Sequence, residues 1–291
     1  MNVFIAGLTS DIGKYLCKRY LCDSCRIYGT YHSPLPKDMQ EAIEASGGWA
    51  CYCDYGERGS IRHACTSLKE HDCTWDLFIS AIGTLEPIGK FMDVDFDAWE
   101  NSLHVNAVSQ LRMLQGIFPD RNKEAAVLFF AGGGTNNAFT NYSAYCISKI
   151  LLIKMTELLS DENPDVTFLI LGPGMIGTKI HQTTLEHPEK AGNNYDKTVN
   201  YLSSEKDDIL EGKLSRIYDF IEWMMHADYR KDLSGRNFAI EHDAWENCPE
   251  ELICKLRDDF DMYKLRRYRN DLIVGKGEQE DAREDRCKKT V

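Results

Sequence analysis

Tyr145 and Lys149 stand four residues apart in the stretch YCISK, so on a helix both side chains share one face. That pairing suits proton transfer. A phenol ionises near an ordinary pKa of about 10 and is a weak general base at neutral pH, but an ammonium beside it favours the phenolate. Tyr145 is therefore the candidate general acid/base and Lys149 its cationic neighbour. The same spacing also occurs on solvated helix faces, so the pair gains meaning from what surrounds it.

A second group lies far upstream, where Gly7-Leu8-Thr9-Ser10-Asp11-Ile12-Gly13 follows a short apolar run and precedes a helical pattern. A glycine turn between strand and helix lets backbone amides and the positive helix end approach a diphosphate. Gly7 would permit the turn, Gly13 close packing of helix on strand, and Thr9 and Ser10 would add hydroxyl donors. A dinucleotide site is the chemical reading.

The elements that must hold both groups alternate along the chain. Apolar runs NVFIA, RIYGTY, WACYC, DLFISA, AAVLFFA, VTFLIL and NFAI predict strands, with helices near 11–21, 37–46, 57–71, 95–118, 142–161 and 205–227. The pattern predicts a doubly wound α/β fold: a seven-stranded parallel sheet, helices on both faces and a C-terminal helical extension. Residues 1–243 form the expected catalytic domain. Residues 244–291 form a charged helical extension that packs on its own domain or a partner subunit. Its end, GKGEQEDAREDRCKKTV, has little to bury and is expected to be disordered.

With 34 Lys and Arg against 46 Asp and Glu, the formal charge of −12 disfavours nucleic acid or an anionic membrane as partner. The start MNVFIAGL has no basic leader, and no window reaches the roughly 20 apolar residues of a membrane span, which predicts a cytoplasmic protein. Eleven cysteines then read as reduced thiols. Cys22 with Cys25, and Cys51 with Cys53, are spaced as metal ligands can be, but four convergent ligands are not evident, so no metal is expected.

The order of these motifs resembles the short-chain dehydrogenase/reductase family. The carriers are the glycine turn, YxxxK, and Pro173-Gly174-Met175-Ile176-Gly177-Thr178, similar to the family's PGxxxT. The resemblance implies a Rossmann fold and an NAD(P)-dependent oxidoreductase that interconverts a carbonyl and a secondary alcohol. It implies that Lys149 also bonds the nicotinamide ribose and that Ile176 and Thr178 border the carboxamide behind Pro173 and Gly174. Asp54 would meet the adenine, Ala81, Ile82 and Gly83 the adenine ribose, and Asn106 would hold a proton-relay water. After the second strand the chain offers Tyr31 and His32 and no acid, which favours NADP over NAD. The family habit also implies a homodimer or homotetramer, built on helices 95–118 and 142–161, and Leu103, Val105, Leu111, Met113 and Leu114 suit that face as well as they suit the core.

Ser80-Ala81-Ile82-Gly83 matches the family's Asn-Asn-Ala-Gly only in part, and two single positions depart from the family. Asp11 replaces the middle glycine of the turn, and Gly132 stands where relatives carry the substrate-polarising serine. Thr135 is the first choice to replace that serine. Residues 179–204 read as a long polar loop over the substrate, and His181, His187, Lys190, Asn193, Asn194 and Tyr195 suit a polar small molecule. Ser234-Gly235-Arg236-Asn237, Asp243 and Trp245 resemble short-chain reductases of bacterial surface-polysaccharide synthesis, which points to a sugar or nucleotide-sugar carbonyl. A non-catalytic NAD(P)-binding sensor and a sugar-nucleotide epimerase or dehydratase stay open as alternatives.

Overall fold

The computed structural model describes residues 1–225 and 228–267. Among these, the strands are β1 (Asn2–Ala6), β2 (Arg26–Tyr31), β3 (Trp49–Tyr52), β4 (Trp75–Ser80), β5 (Arg121–Phe130), β6 (Thr167–Gly172) and β7 (Arg236–Ala239). They form one seven-stranded parallel sheet in the order β3-β2-β1-β4-β5-β6-β7. The order reverses between β1 and β4, which opens a crevice at the strands' carboxyl ends, where ligands of such sheets bind. The Rossmann architecture read from the alternating pattern is the observed one.

The central strands β1, β4 and β6 and the second half of β5 are mostly apolar because both faces are covered. Val3 and Ile5 of β1, Leu77 and Ile79 of β4 and Leu169 and Leu171 of β6 enter one core layer, under α1 (Asp11–Cys22) and α2 (Lys37–Ala45). Phe4, Phe78, Phe168 and Ile170 alternate into the other, under α3 (Arg58–Glu70). Each fully buried side chain of this kind contributes about 1.5–3 kcal/mol of transfer free energy.

The helix expected over 95–118 is not continuous. α4 (Phe96–Leu103) and α5 (Ser109–Ile117) are joined by one π-helical turn, His104–Val108. The Gln110 amide donates to the carbonyls of Asn106 at 2.6 Å and Val105 at 3.3 Å, so a side chain enters the helix ladder and widens it. Met113 is fully buried in the chain's own core and unavailable to a partner, while Leu114 packs into that core and also lines a groove with Met155 and Leu159. α6 (Ser143–Glu162) packs against α4 and β6 and carries the Tyr-Lys pair.

Residues 179–204 are not a loop. After a 3₁₀ turn at Lys179–His181 the chain forms α7 (Gln182–Glu186), α8 (Pro188–Ala191) and α9 (Asn193–Ser204). Helices of 4 or 5 residues are too short for a periodicity to show and too short to be stable alone. Tertiary bonds hold them: Tyr142 shares a 2.9 Å hydrogen bond with Thr184, and the Asn194 amide donates to the Thr140 carbonyl at 2.9 Å. α10 (Asp207–Met225) follows, and a short α11 (Arg230–Leu233) leads into β7.

After Asp243, Trp245 and then Leu252, Ile253 and Leu256 of α12 (Pro249–Asp258) are buried in the same core layer as α1 and α10. Arg236 on β7 is buried as well, donating to the carbonyls of Leu256 at 2.6 Å, Asp259 at 3.2 Å and Met262, so its charge is solvated by a helix end in place of water. The disordered terminus expected at 275–291 lies outside the described residues. No helix among the described residues is long and apolar enough to cross a membrane.

Candidate active site

The turn after β1 is shaped by backbone contacts. Gly7 has φ +89°, a left-handed value that side chains disfavour, and a Cβ on Gly13 would collide with the Gly7 carbonyl oxygen. Ser10 caps α1 by accepting a 2.9 Å bond from the Gly13 amide, which leaves the helix N-terminus facing outward.

From that helix end a cleft of about 540 Å³ runs across the carboxyl ends of the strands. It is lined by Ser10, Asp11 and Ile12 from the turn, Ala81, Ile82 and Gly83 after β4, Tyr145 and Lys149 from α6, and Pro173, Gly174, Ile176 and Thr178 after β6. Twelve of the residues expected from sequence thus share one cavity. A dinucleotide fits this frame: the glycine cradle admits no Cβ, the helix end suits phosphate, and the cleft continues from there to Tyr145.

Other expected residues stand apart from the cavity wall. Gly7, Thr9 and Gly13 shape the turn from behind it. Tyr31 packs edge-on to Tyr52, and His32 lies 3.8 Å from Asp54, beyond the cleft at the β2–β3 side. Asp54 Oδ1 accepts from the Gly56 amide at 2.8 Å, a turn-forming bond. Asn106 is fully buried in the π turn, where its side chain accepts from the Thr84 amide at 2.8 Å and donates to the Thr84 carbonyl at 2.9 Å. It fixes the segment after β4 and does not line the cleft. Thr135 turns its hydroxyl back to the Gly132 carbonyl at 3.3 Å and is likewise off the cavity wall.

Gly132 is occupied space. A Cβ there would collide with the Tyr145 hydroxyl and stand 2.6 Å from two carbons of its ring, so the tyrosine fills the volume a serine side chain would need. Burial governs the titration of the pair. It raises the Tyr145 phenol well above its ordinary value and lowers the Lys149 ammonium to about 8. Lys149 Nζ is 5.6 Å from the centre of the Tyr145 ring. The phenolate-promoting effect expected of the lysine is outweighed, because desolvation penalises both charged forms.

Beside Tyr145 the wall is apolar, with Leu85, Phe139 and Ile180. Of the six polar residues expected over the substrate, His181 and Asn194 reach the cavity. Burial lowers the pKa of His181, and its Nε2 lies 3.0 Å from the Ile176 carbonyl. Lys179, Lys197, Glu241 and His242 also border the cleft and were missed from sequence. Position gave a usable signal for two of them: Glu241 and His242 follow β7, at the strand end where such sheets place ligands.

Ser234 and Asp243 do structural work. Ser234 donates to or accepts from Ser160 at 2.7 Å and accepts from the Phe168 amide at 3.0 Å, and Asp243 accepts from the Ala239 amide at 2.7 Å. None of Ser234, Arg236, Asn237, Asp243 and Trp245 lines the cleft.

Residues 7–203 match the sequence model of the family described as enoyl-(acyl carrier protein) reductase. An uncharacterized oxidoreductase of Schizosaccharomyces pombe is 28% identical over 106 residues, which span 36% of this chain and less than half, 43%, of that relative. An uncharacterized oxidoreductase of Saccharomyces cerevisiae is 22% identical over 190 residues, 64% of this chain and 74% of the relative. The human dehydrogenase/reductase SDR family member 4 is 22% identical over 195 residues, 64% of this chain and 69% of its own. A solved Saccharomyces cerevisiae short-chain dehydrogenase/reductase superposes with a TM-score of 0.72 at 17% identity, covering 84% of this chain and 98% of that one.

Proposed function

The chain belongs to the short-chain dehydrogenase/reductase family of oxidoreductases, and on that premise we propose that it reduces a carbonyl of a small molecule to a secondary alcohol, or runs the reverse, with Tyr145 as general acid/base. What supports the reading is the cleft that joins the glycine turn to Tyr145 and Lys149. The turn residues Ser10, Asp11 and Ile12 would hold the diphosphate, Ala81 to Gly83 the ribose, and Pro173 to Thr178 with Lys149 the nicotinamide end. When bound, NAD(P)H supplies the hydride.

The protein's own part is the proton. Burial keeps the Tyr145 phenol protonated, so it can donate to a carbonyl oxygen as negative charge develops there. Lys149, in its charged form, stabilises the phenolate that remains. With Gly132 in the serine position and Thr135 turned away, Tyr145 serves as both polarising donor and acid. Asn106 acts by holding the segment after β4 in place.

Leu85, Phe139 and Ile180 support a carbonyl carried on an apolar group, with the polar remainder reaching Asn194, Lys197 or His242 of the same cleft. A sugar or nucleotide-sugar carbonyl is the narrower alternative, and Ser234, Arg236, Asn237, Asp243 and Trp245 lend it no support because none of them lines the cleft. NADP is the preferred cofactor over NAD, since no carboxylate follows β2 and His32 is the nearby group able to carry positive charge. A second copy of the chain, in a homodimer or homotetramer, would cover the groove of Val108, Leu111, Phe118, Met155 and Leu159 between α5 and α6. A reducing cytoplasm suits the buried, protonated thiols of Cys17 and Cys53.

Oxidation of NADPH and of NADH is to be followed against a panel of aliphatic and aromatic ketones, aldehydes and keto sugars. Turnover of the apolar ketones with NADPH is expected. Cofactor binding with no turnover of any member would favour the sensor reading, which Gly132 makes the principal competitor.

A further inference from the structure

Asp11 stands where a glycine would leave the diphosphate groove neutral, and a bare carboxylate at that place would repel phosphate oxygens. The structure shows where its charge is spent. Asp11 Oδ2 accepts a 2.7 Å hydrogen bond from the main-chain amide of Lys179, 168 residues further on. The ammonium of the same lysine donates to the Thr9 carbonyl at 2.8 Å, so Lys179 is fastened to the glycine turn at both its backbone and its side chain. Ser10 and Asp11 on one rim and Thr178 and Lys179 on the other line the same cleft.

We infer that Asp11 and Lys179 form a charge-balanced clasp over the cofactor's diphosphate, with Lys179 as the cation that contacts it and Asp11 as the residue that positions Lys179. The inference rests on the dinucleotide reading above and adds to it a ligand outside the glycine motif. An ammonium has three donors, and the bond to Thr9 uses one, which leaves two for phosphate oxygens. Lys179 is exposed, so packing does not require it. A dianionic diphosphate then meets the α1 N-terminus and the Lys179 ammonium, beside a carboxylate already bonded to a main-chain amide, in place of a lone carboxylate. Because Lys179 opens the 3₁₀ turn that leads into α7, the clasp also ties the base of the lid to the cofactor turn.

Binding of NADPH, ADP and adenosine is to be measured by calorimetry for the full chain and for Lys179→Met, Lys179→Arg and Asp11→Ala. Lys179→Met is expected to weaken NADPH and ADP about tenfold and to leave adenosine unchanged, as loss of a charge-assisted bond to phosphate requires. Lys179→Arg should restore ADP binding, and Asp11→Ala should weaken ADP by less than Lys179→Met does. A Lys179→Met chain that binds ADP as tightly as wild type, or that loses adenosine equally, overturns the clasp. Asp11→Ala that tightens ADP binding overturns the positioning role of Asp11. A wild-type chain that binds neither NADPH nor NADH overturns the oxidoreductase reading itself.

Discussion

Two glycine-rich turns leave the sheet at the carboxyl ends of strands, one after β1 and one after β5, and their glycines answer to different neighbours. Gly13 is required by a backbone atom, the Gly7 carbonyl, which cannot move without moving the sheet. Gly132 is required by a side chain, the Tyr145 ring and hydroxyl, which can swing aside. The first turn is therefore a fixture of the architecture, whereas the second is a local agreement between two residues about which one fills the space by the substrate. The same contrast holds for charge. The β1 turn offers a helix end with its amides partly satisfied by Ser10, while the β5 turn faces a half-buried phenol and a buried ammonium, whose charged forms desolvation disfavours.

The most severe break comes from removing the acid. Tyr145→Phe is expected to lower turnover by about 1,000-fold while NADPH affinity stays at the wild-type value. Unchanged kcat would leave the β5 turn without a chemical role.

Next in size is a stability effect at the same end. Lys149 holds its proton less firmly in the folded chain than in the unfolded one, so its burial costs stability at neutral pH, and that cost fades as pH rises from about 8 toward the ordinary lysine range. Lys149→Met should stabilise the cofactor-free chain by up to roughly 3 kcal/mol at pH 7 in urea unfolding, with a smaller gain near pH 10. A destabilised variant at pH 7 would show that the ammonium is well solvated in place.

The distinction between the turns is tested directly by adding side chains to each. Gly132→Ser is expected to push Tyr145 from its place and lower kcat on the order of a hundredfold, with little change in the unfolding midpoint. A rise in kcat would mean that the serine is simply missing and that the tyrosine accommodates it. Gly13→Ala should show the reverse pattern, with a stability loss of about 2 kcal/mol from overpacking against backbone and with weakened NADPH binding. A Gly13→Ala chain as stable as wild type would remove the contrast between backbone and side-chain constraint.

Much of the fold was legible because the signals were local and repeated. Apolar runs such as VTFLIL and the turn Gly7 to Gly13 announce themselves within a few residues, and the two-sided burial of the central strands makes them almost continuously apolar. The lid was illegible for the opposite reason. Helices α7 to α9 are held by Tyr142, Thr140 and the cluster in which Tyr201 and Lys213 bond the Met175 carbonyl, and those partners lie far away in sequence. The π turn that holds Asn106 was illegible too, because it depends on Gln110 reaching back to the Asn106 carbonyl.

By itself, then, the sequence determined the seven strands and their alternation with helices, the glycine turn, and the Tyr145–Lys149 pair as a chemical unit, since each depends on spacings of a few residues or on a repeated period. Tertiary structure alone decided which of the polar residues meet the cleft, that Tyr145 occupies the space beside Gly132, and that Asp11 turns its charge to Lys179. Those outcomes depend on atoms brought together across the sheet, and on the desolvation that follows when they are.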